Sequence, residues 1–126
     1  DKLITQVLEV TLRHLLFEEW DAVPALRMIR VSAAELRRRA EQLARRISGA
    51  EVMESSSVAG GGSTPDQTLP AWVVAIPGNA VRIEKMLRGG DPPVTARIEN
   101  ERLLVDLRTV LESEEEELLA ALTRAV

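Results

Sequence analysis

The sequence contains no cysteine, and this absence excludes several kinds of site. A chain without cysteine has no disulfide framework, no thiolate nucleophile and no cysteine-ligated zinc. Its one histidine, His14, is too little for a histidine-rich metal site, so we expect no metal. A Ser/His/Asp triad would have to use His14, which lies far along the chain from the candidate serines.

Aromatic residues and long apolar runs are also scarce. Phe17, Trp20 and Trp72 are the only aromatic residues, too few for a base-stacking platform. No apolar run approaches the roughly 20 residues of a membrane helix, and the opening DKLITQ lacks a signal-peptide pattern. The net charge of −4 disfavours generic nucleic-acid binding but permits a local basic patch. We expect a piece of a longer cytoplasmic protein with no membrane partner.

Hydrophobic periodicity predicts a leading helix and then alternating helices and strands. Residues 2–17 carry apolar side chains at helical spacing. Because Pro24 interrupts this pattern, the apolar stretch 21–30 is predicted to be extended. Strands are predicted at 50–59 and 71–76.

Capping signals predict where three further helices begin. Ser32 and Glu35 form a capping box before a helix over 33–47. Asn79 caps the next helix, which turns Ile83, Met86 and Leu87 inward, and Ser113 with Glu116 opens the last. The outer face of the helix over 33–47 is predicted to carry Arg37, Arg38, Arg39, Arg45 and Arg46.

The strongest β signal is PVTARIENERLLVDLRTV, residues 93–110. A two-residue turn at Asn100 and Glu101 pairs Glu99 with Arg102 and places Arg97 diagonal to Asp106, as an ion pair. This register predicts one apolar face, formed by Val94, Ala96, Ile98, Leu103, Val105 and Leu107, with Leu104 on the other face. The predicted fold is α+β, a small and mostly antiparallel sheet with helices on one face, preceded by an N-terminal helical arm.

The stretch ESSSVAGGGSTPDQTLPAW, residues 54–72, is the most unusual part of the sequence. It is not a Walker loop, because no lysine follows the glycines. A flexible linker and one part of an active site both remain open. Residue chemistry alone therefore predicts a soluble α+β domain and names no reaction.

This stretch, together with GGDPPVTARIENERLLVDLRTV, resembles the C-terminal part of the bacterial selenocysteine synthases, the L-seryl-tRNA(Sec) selenium transferases. The family shows a Ser-rich strand, a glycine run, a Leu-Pro pair, Gly-Asp-Pro-Pro-Val and Asp-x-Arg-Thr-Val, although Thr64 stands where leucine is usual. DKLITQVLEVTLRHLL is similar to the family's helix that leaves the catalytic domain. The resemblance implies an exit helix over residues 1–20 and a C-terminal small domain over 21–126.

The resemblance also implies a reaction and its cofactor. It implies a fold-type I enzyme that uses pyridoxal phosphate and selenophosphate to convert seryl-tRNA(Sec) to selenocysteinyl-tRNA(Sec). The full-length enzyme would bind tRNA(Sec) and form a homo-oligomeric ring of dimers. The family's cofactor lysine lies upstream of Asp1, so Lys2 and Lys85 are not assigned that role. The fragment alone is expected to be inactive, with no catalytic residue of its own.

Two groups of residues are the candidates for contact with the substrate. By analogy with other fold-type I small domains, the Ser/Gly stretch would border substrate and cofactor, with a tight structural loop as the alternative. Its candidate residues are Ser55, Ser56, Ser57, Gly60, Gly61, Gly62 and Ser63. Arg38, Arg45 and Arg46 would contact tRNA, with a solvated helix face as the alternative.

Two other functions remain open from sequence. One is the small domain of a paralogous pyridoxal-phosphate lyase or aldolase that acts on a small phosphorylated substrate. The other is a stand-alone RNA-binding adaptor module that uses the arginine helix. The sequence upstream of Asp1 would distinguish them.

Overall fold

The computed structural model describes residues 1–58 and 68–126, which fall into two compact units, Asp1–Val31 and Ser32–Val126. The first unit holds α1 (Lys2–Leu16) and α2 (Pro24–Arg30). The second unit holds the following elements in chain order: α3 (Ala33–Ala44), β1 (Glu51–Val58), β2 (Thr68–Ile76), α4 (Ala80–Arg88), β3 (Arg97–Glu99), β4 (Arg102–Asp106) and α5 (Glu115–Ala125). The division after residue 20, proposed from family resemblance, stays a prediction.

The first unit corrects the prediction for residues 21–30, which are helical rather than extended. A short 3₁₀ helix, Trp20–Ala22, precedes α2, and Pro24 is the first residue of α2. Proline suits that position because the first N–H of a helix has no intrahelical partner and the ring presets φ. In α1, as predicted, the helix runs through the apolar stripe, and the Asp1 carboxylate caps it by accepting from the N–H of Leu3.

The second unit contains a four-stranded sheet in the order β1-β2-β4-β3, with every neighbouring pair antiparallel. The predicted hairpin register is confirmed, since Glu99 pairs with Arg102. Asn100 and Glu101 both take positive φ, 48° and 63°, as a two-residue type I′ turn requires. β3 is shorter than predicted, because Val94 donates its N–H to the carbonyl of Leu87 in α4 instead of to the sheet.

The helices cover one face of the sheet, as predicted. Val74, Ile76, Leu103 and Val105 share this face and are buried, as are Leu36, Ile83 and Leu122 of the helices. In α4, Ile83 and Leu87 are buried, but Met86 is 44% exposed, so its predicted inward position was wrong. The helix side therefore forms the core of the domain.

The opposite face of the sheet, here called the polar face, has its own small apolar cluster. Val73, Ala75 and Leu104 are buried on it, with Met53 packed against them. Leu104 falls on the predicted polar side of the hairpin and is still buried, because it pairs with Ala75 of β2. The remaining side chains of the polar face are mostly charged residues and serines.

Helix caps follow the sequence signals in two of three cases. Ser32 accepts from the N–H of Glu35 at 3.1 Å, and Asn79 accepts from the N–H of Arg82 at 3.0 Å. Ser113 is not the cap of the last helix. A short 3₁₀ helix, Glu112–Glu114, precedes α5, and the carboxylate of Glu114 accepts from the N–H of Leu111.

Candidate functional site

The three serines of the Ser/Gly stretch that the structure describes lie on β1, and strand alternation separates them. Ser55 and Ser57 lie on the polar face, whereas Ser56 lies on the side of the helices and is exposed. Ser57 is buried and Ser55 is partly buried. The other predicted residues of the stretch, Gly60, Gly61, Gly62 and Ser63, lie outside the described residues.

Ser57 belongs to a hydrogen-bond network with Asp106 and Arg108. Its hydroxyl donates to Asp106 Oδ2 at 2.5 Å and accepts from Arg108 Nε at 3.0 Å. A carboxylate only accepts, a guanidinium only donates and a hydroxyl has one proton, so the orientation of the Ser57 hydroxyl is fixed. Ser57 therefore has no proton to donate to a ligand.

Arg108 and Asp106 complete this network. Asp106 Oδ1 accepts from the backbone N–H of Arg108 at 2.9 Å, and Arg108 Nη2 donates to the carbonyl oxygen of Pro70 at 2.7 Å. The Arg108 side chain thus joins β1 to β2 from a position just beyond the end of β4. The link between Arg108 and Ser57 joins residues 51 positions apart, so no local pattern in the sequence indicates it.

Ser55 is held differently from Ser57. Arg97 donates from Nη2 to Ser55 Oγ and from Nη1 to the carbonyl oxygen of Ser56, the latter at 3.1 Å. Arg97 is the only partner of the Ser55 hydroxyl among the residues described, so the hydroxyl proton stays available for an acceptor. The ion pair of Arg97 is with Glu99, at 3.7 Å, and not with Asp106 as predicted.

The contact between Arg97 and β1 also shows that the sheet is curved. In a flat sheet, three strand spacings would separate the edge strands β1 and β3 by about 14 Å. One arginine side chain cannot span that gap to a serine, so the sheet must curl toward the polar face. Arg102 crosses in the same direction from β4 and pairs with Glu51 at 2.9 Å.

The arginines of α3 do not form one free basic face. Arg39 is 4% exposed and donates from Nε to Glu115 and from Nη2 to the carbonyl oxygen of Val110, so its predicted outer position was wrong. The signal was present, because Arg39 falls three residues after Leu36 and four before Leu43, on the buried stripe. Arg37 lies over the ring of Trp72, 4.6 Å from its centroid.

The three arginines predicted to contact tRNA differ in their ion pairs. Arg38 pairs with Glu35 and Arg46 with Glu116, and the hydrogen bonds from these guanidinium groups lower the pKa of both carboxyl groups. Both carboxylates therefore stay ionised and neutralise their arginines at neutral pH. Arg45 is exposed and has no ion pair within residues 1–58 and 68–126.

The described residues offer no lysine for a pyridoxal phosphate site. Lys2 lies on α1 and Lys85 on α4, and both side chains are exposed. No group of three His, Cys, Asp or Glu side chains suited to a metal ion occurs in the described part of the chain. None of its helices is long and apolar enough to cross a membrane.

Comparison with known proteins decides the family. The family model for L-seryl-tRNA selenium transferase matches residues 1–111, which include α1, all four strands and the Ser57 network. The chain belongs to this selenium transferase family. The resemblance predicted from the Ser-rich and Asp-Pro-Pro motifs is thereby confirmed.

Several curated relatives carry the name L-seryl-tRNA(Sec) selenium transferase. The protein of Nautilia profundicola is 37% identical over 94% of this chain and 26% of its own length. That of Moorella thermoacetica is 36% identical over the whole chain and 29% of its own length. That of Wolinella succinogenes is 36% identical over 94% of this chain and 27% of its own length. The chain thus spans little more than a quarter of these selenium transferases.

The Ser57 network predicts a stability difference between two serines of this chain. Ser57→Ala should lower the free energy of unfolding by about 1–3 kcal/mol, because it removes the hydroxyl that donates to Asp106 and accepts from the buried Arg108. Ser55→Ala, the control on the same strand face, should cost under about 1 kcal/mol. Urea unfolding followed by circular dichroism measures both, and equal losses would contradict the assignment of Ser57 as the structural serine.

Proposed function

We propose that this chain is the C-terminal small domain of an enzyme that converts seryl-tRNA(Sec) to selenocysteinyl-tRNA(Sec) with selenophosphate. The observation that carries the proposal is the family match over residues 1–111, supported by relatives named L-seryl-tRNA(Sec) selenium transferase. The chain spans 26–29% of those relatives, so most of the enzyme would lie outside it. The partners of the full-length enzyme would be tRNA(Sec), selenophosphate and further copies of itself, in the cytoplasm.

The cofactor of the proposed enzyme would be bound mainly outside this chain. Pyridoxal phosphate needs a lysine in an enclosed site, and Lys2 and Lys85 are both exposed on helices. The described residues therefore do not fit this cofactor, and we assign them no step of its chemistry. On this proposal the small domain orients the substrate and the rest of the enzyme supplies the reacting groups.

The polar face is the part of the small domain that we propose to border the substrate. Ser55 offers a hydroxyl proton beside the positive charge of Arg97, a combination suited to an ester or phosphate oxygen. Ser57 has no free proton, and Ser56 points to the other side of the sheet. Gly60, Gly61, Gly62 and Ser63 stay in the proposal as the residues that follow this strand.

The proposed activity can be tested directly with the full-length protein. We expect it to bind pyridoxal phosphate, seen as visible absorbance, and to move selenium from selenophosphate onto seryl-tRNA(Sec). The 126-residue chain alone should show neither property, because it lacks a cofactor lysine. A cofactor-bound protein that leaves seryl-tRNA(Sec) unchanged but cleaves a small phosphorylated substrate would establish the lyase or aldolase alternative.

The role of Ser55 predicts a specific loss of turnover in the full-length enzyme. Ser55→Ala should lower kcat on the order of tenfold, the equivalent of one hydrogen bond of about 1–1.5 kcal/mol. Ser56→Ala removes the same hydroxyl from the opposite face and should leave kcat unchanged. Single-turnover selenium transfer measures the effect, and equal rates for both variants would remove Ser55 from the site.

We also propose a tRNA contact on α3 and the turn after it, through Arg38, Arg45 and Arg46. Arg45 is the strongest of the three, because a phosphate would not have to displace a glutamate from it. Arg38 and Arg46 would have to give up their pairs with Glu35 and Glu116 in order to bind phosphate. Each would therefore gain less binding free energy than an arginine without an ion pair.

The tRNA contact predicts a change in salt dependence. Arg45→Ala should weaken tRNA(Sec) binding by the full-length enzyme and reduce the slope of log K against log salt by about 0.7–0.9, one phosphate contact. Arg88→Ala is the control, since Arg88 is exposed and paired with Glu84 on α4. Fluorescence anisotropy over a salt series measures the slope. Identical slopes for the two variants would show that the α3 face is only solvated, and equally tight binding by the isolated chain would favour the RNA adaptor.

A further inference from the structure

We propose that Arg108 is a positioning residue of this enzyme. It holds Ser55 in place by fixing β1 and β2, the strands before and after residues 59–67. The inference rests on the proposed function, because it concerns the strand that carries Ser55 and Ser57. Arg108 itself lies in a short 3₁₀ helix, Leu107–Thr109, directly after β4. It is 6% exposed, so it acts from inside the domain and not by touching substrate.

The Arg108 side chain contacts β1 near its last residue and β2 near its first residue. Its Nε donates to Ser57, one residue before the end of β1, and its Nη2 donates to the carbonyl of Pro70, two residues after the start of β2. Ser57 and Pro70 are not register partners, since Ser57 faces Leu69 and Pro70 faces Ser56. The Arg108 guanidinium therefore adds a diagonal link between β1 and β2 at the end of their hydrogen-bond ladder.

The geometry of the link requires an arginine. A guanidinium presents five N–H groups in a rigid plane, so two bonds from it fix two acceptors relative to each other. Lysine concentrates its donors on a single nitrogen and does not fix two strands in this way. Asp106 in turn orients Arg108, because its carboxylate binds both the Arg108 backbone N–H and the Ser57 hydroxyl.

β1 has little apolar packing near its last residues to support its ladder with β2. It is an edge strand whose last residues are three serines and Val58, and Val58 is exposed. Little apolar burial holds this end of the strand, so it would open locally at a low free energy without the arginine. Ser55 lies two residues from Ser57, and misplacement of a substrate-positioning group by about 1 Å can cost on the order of 100-fold in rate.

Arg39 is a matched control for this role. It is buried to a similar degree as Arg108, and its Nη2 also donates to a backbone carbonyl at 2.7 Å, that of Val110, while its Nε donates to Glu115. Its bonds join α3 to the region before α5, and none reaches β1 or β2. Arg39→Lys and Arg108→Lys should therefore lower the free energy of unfolding by similar amounts.

The test uses the full-length enzyme with Arg108→Lys and Arg39→Lys, at a temperature below both unfolding midpoints. We expect Arg108→Lys to lower kcat on the order of 10- to 100-fold, with little change in KM for seryl-tRNA(Sec). Amide hydrogen exchange at residues 57–58 and 68–69 should be on the order of tenfold faster in Arg108→Lys only. Arg39→Lys should keep the wild-type kcat and the wild-type exchange at these residues.

The outcomes separate this inference from the proposed function. If the unmodified enzyme transfers no selenium, the proposed function is wrong and the inference falls with it. If the unmodified enzyme is active and the two variants have equal kcat, the inference alone is overturned. If Arg108→Lys does not fold, Ser57→Ala replaces it, since this change removes the β1 half of the link. Wild-type kcat in Ser57→Ala would then overturn the inference.

Discussion

Three arginine side chains add to the backbone ladder that joins β1 to β2, and they fix the side chains on one face of β1. Arg102 contacts Glu51, Arg97 contacts Ser55 and Arg108 contacts Ser57, and these three residues of β1 share one strand face. β1 is an edge strand rich in acidic residues and serines, and hydrophobic burial contributes little to its attachment. Hydrogen bonds are directional, so this attachment fixes the serines in orientation as well as in position.

The two buried arginines of the described residues each connect a different set of elements. Arg108 ties the sheet together at the end of β1, and Arg39 ties α3 to the start of α5 through Glu115. A buried guanidinium is tolerated only where carboxylates and carbonyls surround it, because an unpaired buried charge is strongly destabilising. Exposed pairs such as Arg13 with Glu9 carry no such penalty and add little. Among the described residues, Arg39 and Arg108 are the buried charged side chains, and their hydrogen bonds matter more for the fold than such exposed pairs do.

Local signals in the sequence predicted the elements well, and contacts distant in sequence were the part it could not predict. The Asn100-Glu101 turn, the hairpin register and the Asn79 cap all depend on residues within a few positions of one another. The contacts of Arg97 and Arg108 depend on the order β1-β2-β4-β3 and on the curl of the sheet, which no local pattern encodes. Pro24 shows a different failure, because the same residue interrupts one helix and suits the first position of the next. The Ser/Gly stretch was identified by family resemblance, while the different states of Ser55 and Ser57 required the structure.

The difference between Ser55 and Ser57 limits what this domain can contribute to a reaction. Ser57 is buried, and it donates its proton to the Asp106 carboxylate that also accepts from the backbone N–H of Arg108, so its hydroxyl serves as a link between β1 and the residues after β4. Ser55 lies beside a guanidinium, which accepts no proton, so its hydroxyl can serve as a donor but is not activated for attack. Ser55 is thus suited to binding, whereas Ser57 positions the strand that carries it. This division agrees with the role that we propose for a domain that spans about a quarter of the length of its relatives.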